Sequence, residues 1–225
     1  MIVCLFDIDG TLISSGGAGK AALEAALADE FGVTHLIEKL KLSGRTDRAI
    51  IRDLFRMHVI DDTPENLRRL IAAYLVRLPE CLRRSAGRVL PGVAELLLRL
   101  RDRDDVLVGL LTGNVRDGAR VKLGHFGLFE HFAVGGYGDR HFDRDDVARE
   151  ALANVRRVLN GTADPRRIWV VGDTPLDVRC ARAIGARAAA VCTGWHDRDE
   201  LAGCGPDVLL TDLSDPTTLF AQWEL

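Results

Sequence analysis

The chain has no long apolar run, no closely spaced cysteine pair and no block of charge of one sign, and each absence excludes a class of function. No stretch approaches the roughly 18 apolar residues that would suggest a membrane-spanning helix. The amino terminus places Asp7 inside its short apolar stretch and has neither a basic start nor a small-residue cleavage site, so a signal peptide is not expected. A count of 30 Lys and Arg against 33 Asp and Glu gives a formal charge of −3 with both signs interspersed, which leaves no footprint for nucleic acid or an anionic membrane. The five cysteines, Cys4, Cys81, Cys180, Cys192 and Cys204, form no C-x-x-C pair, and several sit in apolar runs, which suits reduced thiols packed as small hydrophobes. The six histidines show no metal-ligand spacing. These absences point to a cytoplasmic protein whose partner is a small molecule, and they say nothing about oligomeric state.

What is there is enough apolar residue, 47% of 225, to build one large domain or a domain with an insertion. Ile2 to Phe6, Val106 to Leu111, Ile168 to Val171 and Ala188 to Cys192 read as buried strands, and their continuous apolarity predicts a parallel sheet covered on both faces. Between them, Val93, Leu96, Leu97 and Leu100 follow Pro91 at helical spacing, as do Ala148, Leu152, Val155 and Leu159. Alternating strands and helices imply a doubly wound α/β core whose site lies beyond the carboxyl ends of the strands. Residues 14–87 break the alternation with helix after helix and no convincing strand. We therefore expect a core of residues 1–13 and 88–225 with an all-helical insertion of residues 14–87.

The first strand runs into "FDIDGTLISSGGAGKAA", where either the acids or the glycines could carry the chemistry. The glycine reading fails as a P-loop, because Ser14 stands at the first glycine position and Ala21 follows the lysine where a metal-binding hydroxyl is needed. No G-x-G-x-x-G opens the next helix either. Gly16 to Lys20 therefore read as a linker into the insertion. Asp7 and Asp9, two apart on an extended strand, point to one side. At about 4 Å such a pair repels by roughly 1 kcal/mol in water and about 4 kcal/mol at an effective dielectric of 20, so it needs a cation or a shared proton.

Other strand ends bear on the same edge of the sheet. "LLTGN" brings Thr112 with the backbone donors of Gly113 and Asn114, groups able to hold phosphate oxygens, and "VVGDTPLD" brings Asp173 and, one helical turn later, Asp177. Singly, each is an ordinary turn or helix cap. Together, "FDIDGT", "LLTGN" and "GDTPLD" closely resemble the haloacid dehalogenase superfamily in its phosphatase-like, phosphoglycolate phosphatase-like branch, with a helical cap inserted after the first motif. The linking segments "VLPGVAELL" and "FGLFEHF" extend the resemblance over nearly the whole chain.

By that resemblance, Asp7 is the nucleophile that becomes a phosphoaspartate, and Asp9 is first acid to the leaving alcohol and then base to the hydrolytic water. It implies Mg2+ held by the Asp7 carboxylate, the Asp9 backbone carbonyl and Asp173, with Asp177 orienting the metal shell or the fixed cation. Thr112, Gly113 and Asn114 would bind the transferring phosphate of a small phosphorylated metabolite. The family's positive side chain is usually a lysine in a Lys-Pro pair, which this sequence lacks. Arg144 stands near that place, and Lys122, on an otherwise apolar helical stripe with Val115, Ala119 and Phe126, is a second candidate. In the insertion, "LSGRTDRAI" resembles a loop that reaches over the site. Gly44, Arg45 and Thr46 are therefore candidates for reading the substrate, Thr46 being equally a helix N-cap. The same motifs leave open a phosphomutase, a metal-independent 2-haloacid dehalogenase or a non-catalytic ligand sensor.

Overall fold

A computed structural model of the chain describes residues 1–35 and 40–224. The chain opens with β1 (Ile2–Phe6) and a two-residue β2 (Ile13–Ser14), then leaves for three helices, α1 (Ala18–Phe31), α2 (Asp47–Met57) and α3 (Pro64–Arg84). It returns through β3 (Arg88–Val89) and alternates as α4 (Val93–Arg101), β4 (Val106–Leu111), α5 (Arg116–His125), β5 (Val134–Gly136), α6 (Arg144–Val158) and β6 (Ile168–Gly172). It ends in α7 (Pro175–Ala183), β7 (Arg187–Val191), α8 (Arg198–Gly203), β8 (Val208–Leu210) and α9 (Thr217–Trp223).

Six strands form one parallel sheet in the order β5-β4-β1-β6-β7-β8, a doubly wound α/β arrangement. The strand order reverses at β1, and such a switch point opens a crevice at the carboxyl edge of the sheet. Every residue of β1 is buried, because alternate side chains feed two cores. Ile2, Cys4 and Phe6 pack with α4 and α9 residues such as Leu97 and Trp223, whereas Val3 and Leu5 pack with Val147, Ala151 and Ala181 of α6 and α7. Truncating such a residue, as in Leu5→Ala, costs about 2–5 kcal/mol.

The four expected strands are present, with β6 reaching Gly172 and β7 shifted one residue towards the amino terminus. Two further strands of the sheet lack a long apolar run. β5 is Val-Gly-Gly, and its glycines answer a packing need: a Cβ on Gly136 would lie 2.5 Å from the Val147 carbonyl of α6. β8 is only three residues long and finds its place by pairing with β7.

Among the described residues, the three helices between β2 and β3 bury a cluster, shared with Val115, in which Ala22, Ala26 and Leu27 of α1 meet Leu70, Tyr74 and Leu78 of α3. Thr63 caps α3 ahead of Pro64, and Thr46 caps α2, each accepting the N–H three residues on. Where the chain leaves and returns, Ile13 and Ser14 pair antiparallel with Val89 and Arg88, a short ladder where we expected no strand to begin. The expected linker is also shorter than Gly16 to Lys20. Gly16 and Gly17 turn with positive φ, but Ala18, Gly19 and Lys20 already belong to α1.

Candidate active site

The carboxyl ends of β1, β4 and β6 converge on a cavity of about 350 Å³, closed from the other side by α1, the 42–45 loop, α2 and α3. Asp7 follows β1 directly and is fixed by its N–H donating to Val171 O at 2.9 Å. Asp173 follows β6, where the Thr11 hydroxyl donates to its Oδ1 at 2.9 Å. Two glycine backbones press on that carboxylate: a Cβ on Gly10 or Gly194 would stand 2.3 or 1.7 Å from Asp173 Oδ2. Asp177 closes a capping box at the start of α7, its Oδ2 accepting from the Thr174 N–H at 3.0 Å and hydroxyl at 2.7 Å.

Asp7, Asp173 and Asp177 are all buried and bring carboxylate oxygens within 4.8 Å of one another. Arg144, buried at the first turn of α6, serves two of them from one nitrogen. Its Nη2 lies 3.0 Å from Asp7 Oδ1 and 2.6 Å from Asp177 Oδ1, while its Nη1 donates to Gly44 O at 3.1 Å. Three acids around one cation leave surplus negative charge in a dry place. Burial accordingly pushes Asp7 up to about 6, against the pull of Arg144 and with Asp177 adding to the rise. Burial, then Asp177 and Asp7, also hold Asp173 well above the ordinary carboxylate range. An all-oxygen set of that charge fits a hard divalent cation.

Asp9 has a different partner. Lys122 Nζ of α5 donates to Asp9 Oδ2 at 2.6 Å and to Asn114 Oδ1 at 2.7 Å, and Asn114 Nδ2 donates to Asp9 Oδ2 at 3.0 Å. Lys122 is thus buried and turned inward, not snorkelling to solvent. Burial alone would raise Asp9, but Lys122 and the hydrogen bonds hold it below its ordinary value. Burial alone would lower Lys122, but Asp9 and its neighbours push it up. Gly19 allows α1 to approach, since a Cβ there would be 3.2 Å from Lys122 Nζ.

Both candidate cations therefore reach the site, and they hold different acids. The phosphate-binding candidates divide. Gly113 and Asn114 line the cavity, whereas Thr112 is fully buried behind them, its hydroxyl accepting from the Asn114 side chain at 2.9 Å. Gly44 and Arg45 line the cavity too, but the Arg45 guanidinium is engaged by Asp53 Oδ2 at 2.5 Å and by the carbonyls of Lys41 and Ala49. Thr46 acts as the N-cap of α2. The exposed Trp195 stands at the rim, and His196 meets Ser43 at 3.1 Å.

Sequence reasoning passed over Asp47 and Tyr74, which also line the cavity. Asp47 joins the two halves: its N–H donates to Gly113 O at 2.7 Å, and its Oδ2 accepts the Val115 N–H at 2.8 Å. Its position beside "SGRT" was the available signal, masked by its ordinary reading as a first-turn acid of α2. Nothing along the chain singles out Tyr74, which sits on the core-facing stripe of α3.

The family model of the haloacid dehalogenase-like hydrolases matches residues 2–185. The chain is 33% identical over 217 residues to the phosphoglycolate phosphatase of Synechococcus elongatus, covering 96% of this chain and 95% of the relative. It is 31% identical to the validoxylamine A 7'-phosphate phosphatase of Streptomyces hygroscopicus subsp. limoneus, covering 95% and 94%. The fold is that of CbbY from Rhodobacter sphaeroides, solved in complex with phosphate, at a TM-score of 0.76 and 23% identity over the full length of both chains. The chain belongs to the haloacid dehalogenase-like hydrolase family and is a phosphatase of that family.

Proposed function

We propose that the protein hydrolyses a small phosphomonoester in two in-line steps on Asp7, with residues 14–87 as the cap over the site. The observation that carries this reading is the division of labour between two ion pairs. Arg144 holds Asp7 beside Asp173 and Asp177, and Lys122 holds Asp9 beside Asn114. One acid is thereby set in a cluster whose surplus negative charge a divalent cation would offset, and the other is set apart from it to move a proton.

In the first step an Asp7 carboxylate oxygen attacks phosphorus, the bond from phosphorus to the ester oxygen breaks, and Asp9 gives its proton to the departing alkoxide. Asp9 is ionised while Lys122 holds it. A bound phosphate dianion would compete for Lys122 and raise the proton affinity of Asp9 by like-charge repulsion, loading the acid only when substrate is present. In the second step Asp9 takes a proton from water, whose oxygen attacks the phosphoaspartate, and Asp7 is regenerated with release of inorganic phosphate. Gly113 offers a backbone donor to the transferring group, while Asn114 spends its amide hydrogens on Asp9 and Thr112 and so orders the acid beside it.

Mg2+ suits the acidic cluster, with Asp7 and Asp173 as side-chain ligands and, as the resemblance implies, the Asp9 carbonyl as a third. When bound, it would supply charge neutralisation between the attacking carboxylate and the phosphate. Asp177 already serves Arg144 and Thr174, which supports a role in orienting the cation.

Hydrolysis of p-nitrophenyl phosphate and a broad phosphomonoester panel with magnesium tests the reading. Turnover should disappear in Asp7→Asn and on chelation with EDTA. Metal-independent activity on 2-haloacids, with none on phosphate esters, would instead identify a dehalogenase.

A further inference from the structure

The cavity extends well past the acids. Its wall beyond Asp9 is apolar, built from Leu23 of α1, Leu42 of the loop, Ile50 and Ile51 of α2, and Ile71 and Tyr74 of α3. A volume of about 350 Å³ falls within the usual range for pockets that hold a whole small-molecule ligand, roughly 300–1,000 Å³.

The charges on this wall decide what can enter. Arg45 is already paired with Asp53, Lys122 with Asp9, and Arg144 with Asp7 and Asp177. Lys20 stands at the mouth, more than half exposed and 3.6 Å from Glu24, where solvent screens it. Among the described residues, the remaining charge on the cap side of the chamber is the half-buried Asp47 carboxylate, which accepts the Val115 N–H while the Asp47 backbone N–H donates to the Gly113 carbonyl. Burial pushes it up to about 6 despite Lys122, so it is short of compensating charge.

We propose that this chamber selects phosphomonoesters whose alcohol is uncharged or cationic and partly apolar, that it disfavours alcohols bearing a carboxylate, and that Asp47 is the residue that sets this preference. The proposal rests on the phosphatase reading above. A hydroxyl or ammonium on the leaving group would donate to Asp47 while its carbon skeleton lies over the isoleucines. A carboxylate there would meet a like charge, with the cations that line the chamber already paired or screened.

The test measures binding of four esters to Asp7→Asn with magnesium: phosphoglycolate, propyl phosphate, hexyl phosphate and phosphoethanolamine. Turnover of the same esters by the unaltered enzyme is followed in parallel. The three esters without a carboxylate should bind at least about tenfold more tightly than phosphoglycolate, and adding Asp47→Asn should shrink that ratio about tenfold. Phosphoglycolate binding as tightly as the others, or a ratio indifferent to Asp47→Asn, would overturn the assignment. The ranking on the unaltered cap stands by itself should Asp47→Asn fail to fold. Absence of all turnover with the ranking intact would sink the phosphatase reading and support the chamber.

Discussion

Lys122 and Asp9 are separated by 113 residues in the chain and by 2.6 Å in space. The pair joins the end of the central strand to the second turn of α5, and Asn114 completes it by accepting from Lys122 and donating to Asp9. It holds Asp9, the acid that the proposed reaction protonates and deprotonates, below its ordinary carboxyl range.

Lys122→Met removes that control. The methionine fills the space of the stem, so the fold should persist, while Asp9 loses its cation. We expect kcat/KM on p-nitrophenyl phosphate to fall by about 100-fold or more, the usual worth of a positioned proton-transfer group. Steady-state kinetics with magnesium, beside a circular dichroism spectrum of the variant, check this.

Arg144→Met leaves buried Asp7 and Asp177, beside Asp173, without the cation they share, a change of the kind that costs about 3–5 kcal/mol. Arg144→Lys should recover part of the stability but not the double contact to Asp7 and Asp177, because an ammonium lacks the planar fork. Thermal unfolding should show a larger stabilisation by magnesium in Arg144→Met than in the unaltered protein. An equal magnesium response would argue against a metal in this cluster.

We expect magnesium to raise the Tm of the unaltered protein and Asp173→Asn to abolish that rise, since ligand binding to the folded state is what would produce it. Thermal scans across a magnesium titration, with EDTA as the reference, would decide it.

Gly113→Ala places a methyl 2.0 Å from the carbonyl oxygen of Arg45, where the 42–45 loop rests on the end of β4. Overpacking of this kind costs about 1–3 kcal/mol. We expect it to fall on the seating of the loop, seen as a KM raised by up to about 100-fold with little change in Tm.

Asp47 carries a pH dependence of definite sign. Its carboxyl is pushed up to about 6, above the unfolded value of 3.8, so between those values the folded chain holds a proton that the unfolded chain has lost. Stability therefore falls as pH rises through that window, and the unfavourable contribution is fully present above about pH 6. Asp47→Asn should flatten the profile there and raise stability at pH 7.5 by about 1–3 kcal/mol, because a tenfold change in proton affinity on folding is worth roughly 1.4 kcal/mol. Urea unfolding at a series of pH values measures both.

The parallel core was legible because β1, β4, β6 and β7 are buried on both faces and therefore written as apolar runs. β5 was not, because its glycines serve the close approach of α6 and carry no strand signal. Asp7, Asp9, Asp173 and Asp177 could be found along the chain, since carboxylates at strand ends are unusual enough to notice. Arg45 was visible with the glycine-bearing polar break "LSGRTDRAI" between helices, but its engagement by Asp53 depends on how α2 turns after Thr46.

By itself the sequence determined the layering of the core, the helical insertion and the acids that face the strand ends, because periodicity and turn chemistry are local properties. Only the tertiary structure decided which cation serves which acid. Arg144 and Lys122 are both plausible along the chain, and neither displaces the other, because α5 and α6 deliver them to opposite sides of the β1 end. The same holds for the apolar chamber around Asp47: its walls come from α1, α2, α3 and one loop, and only their packing gives it an inside.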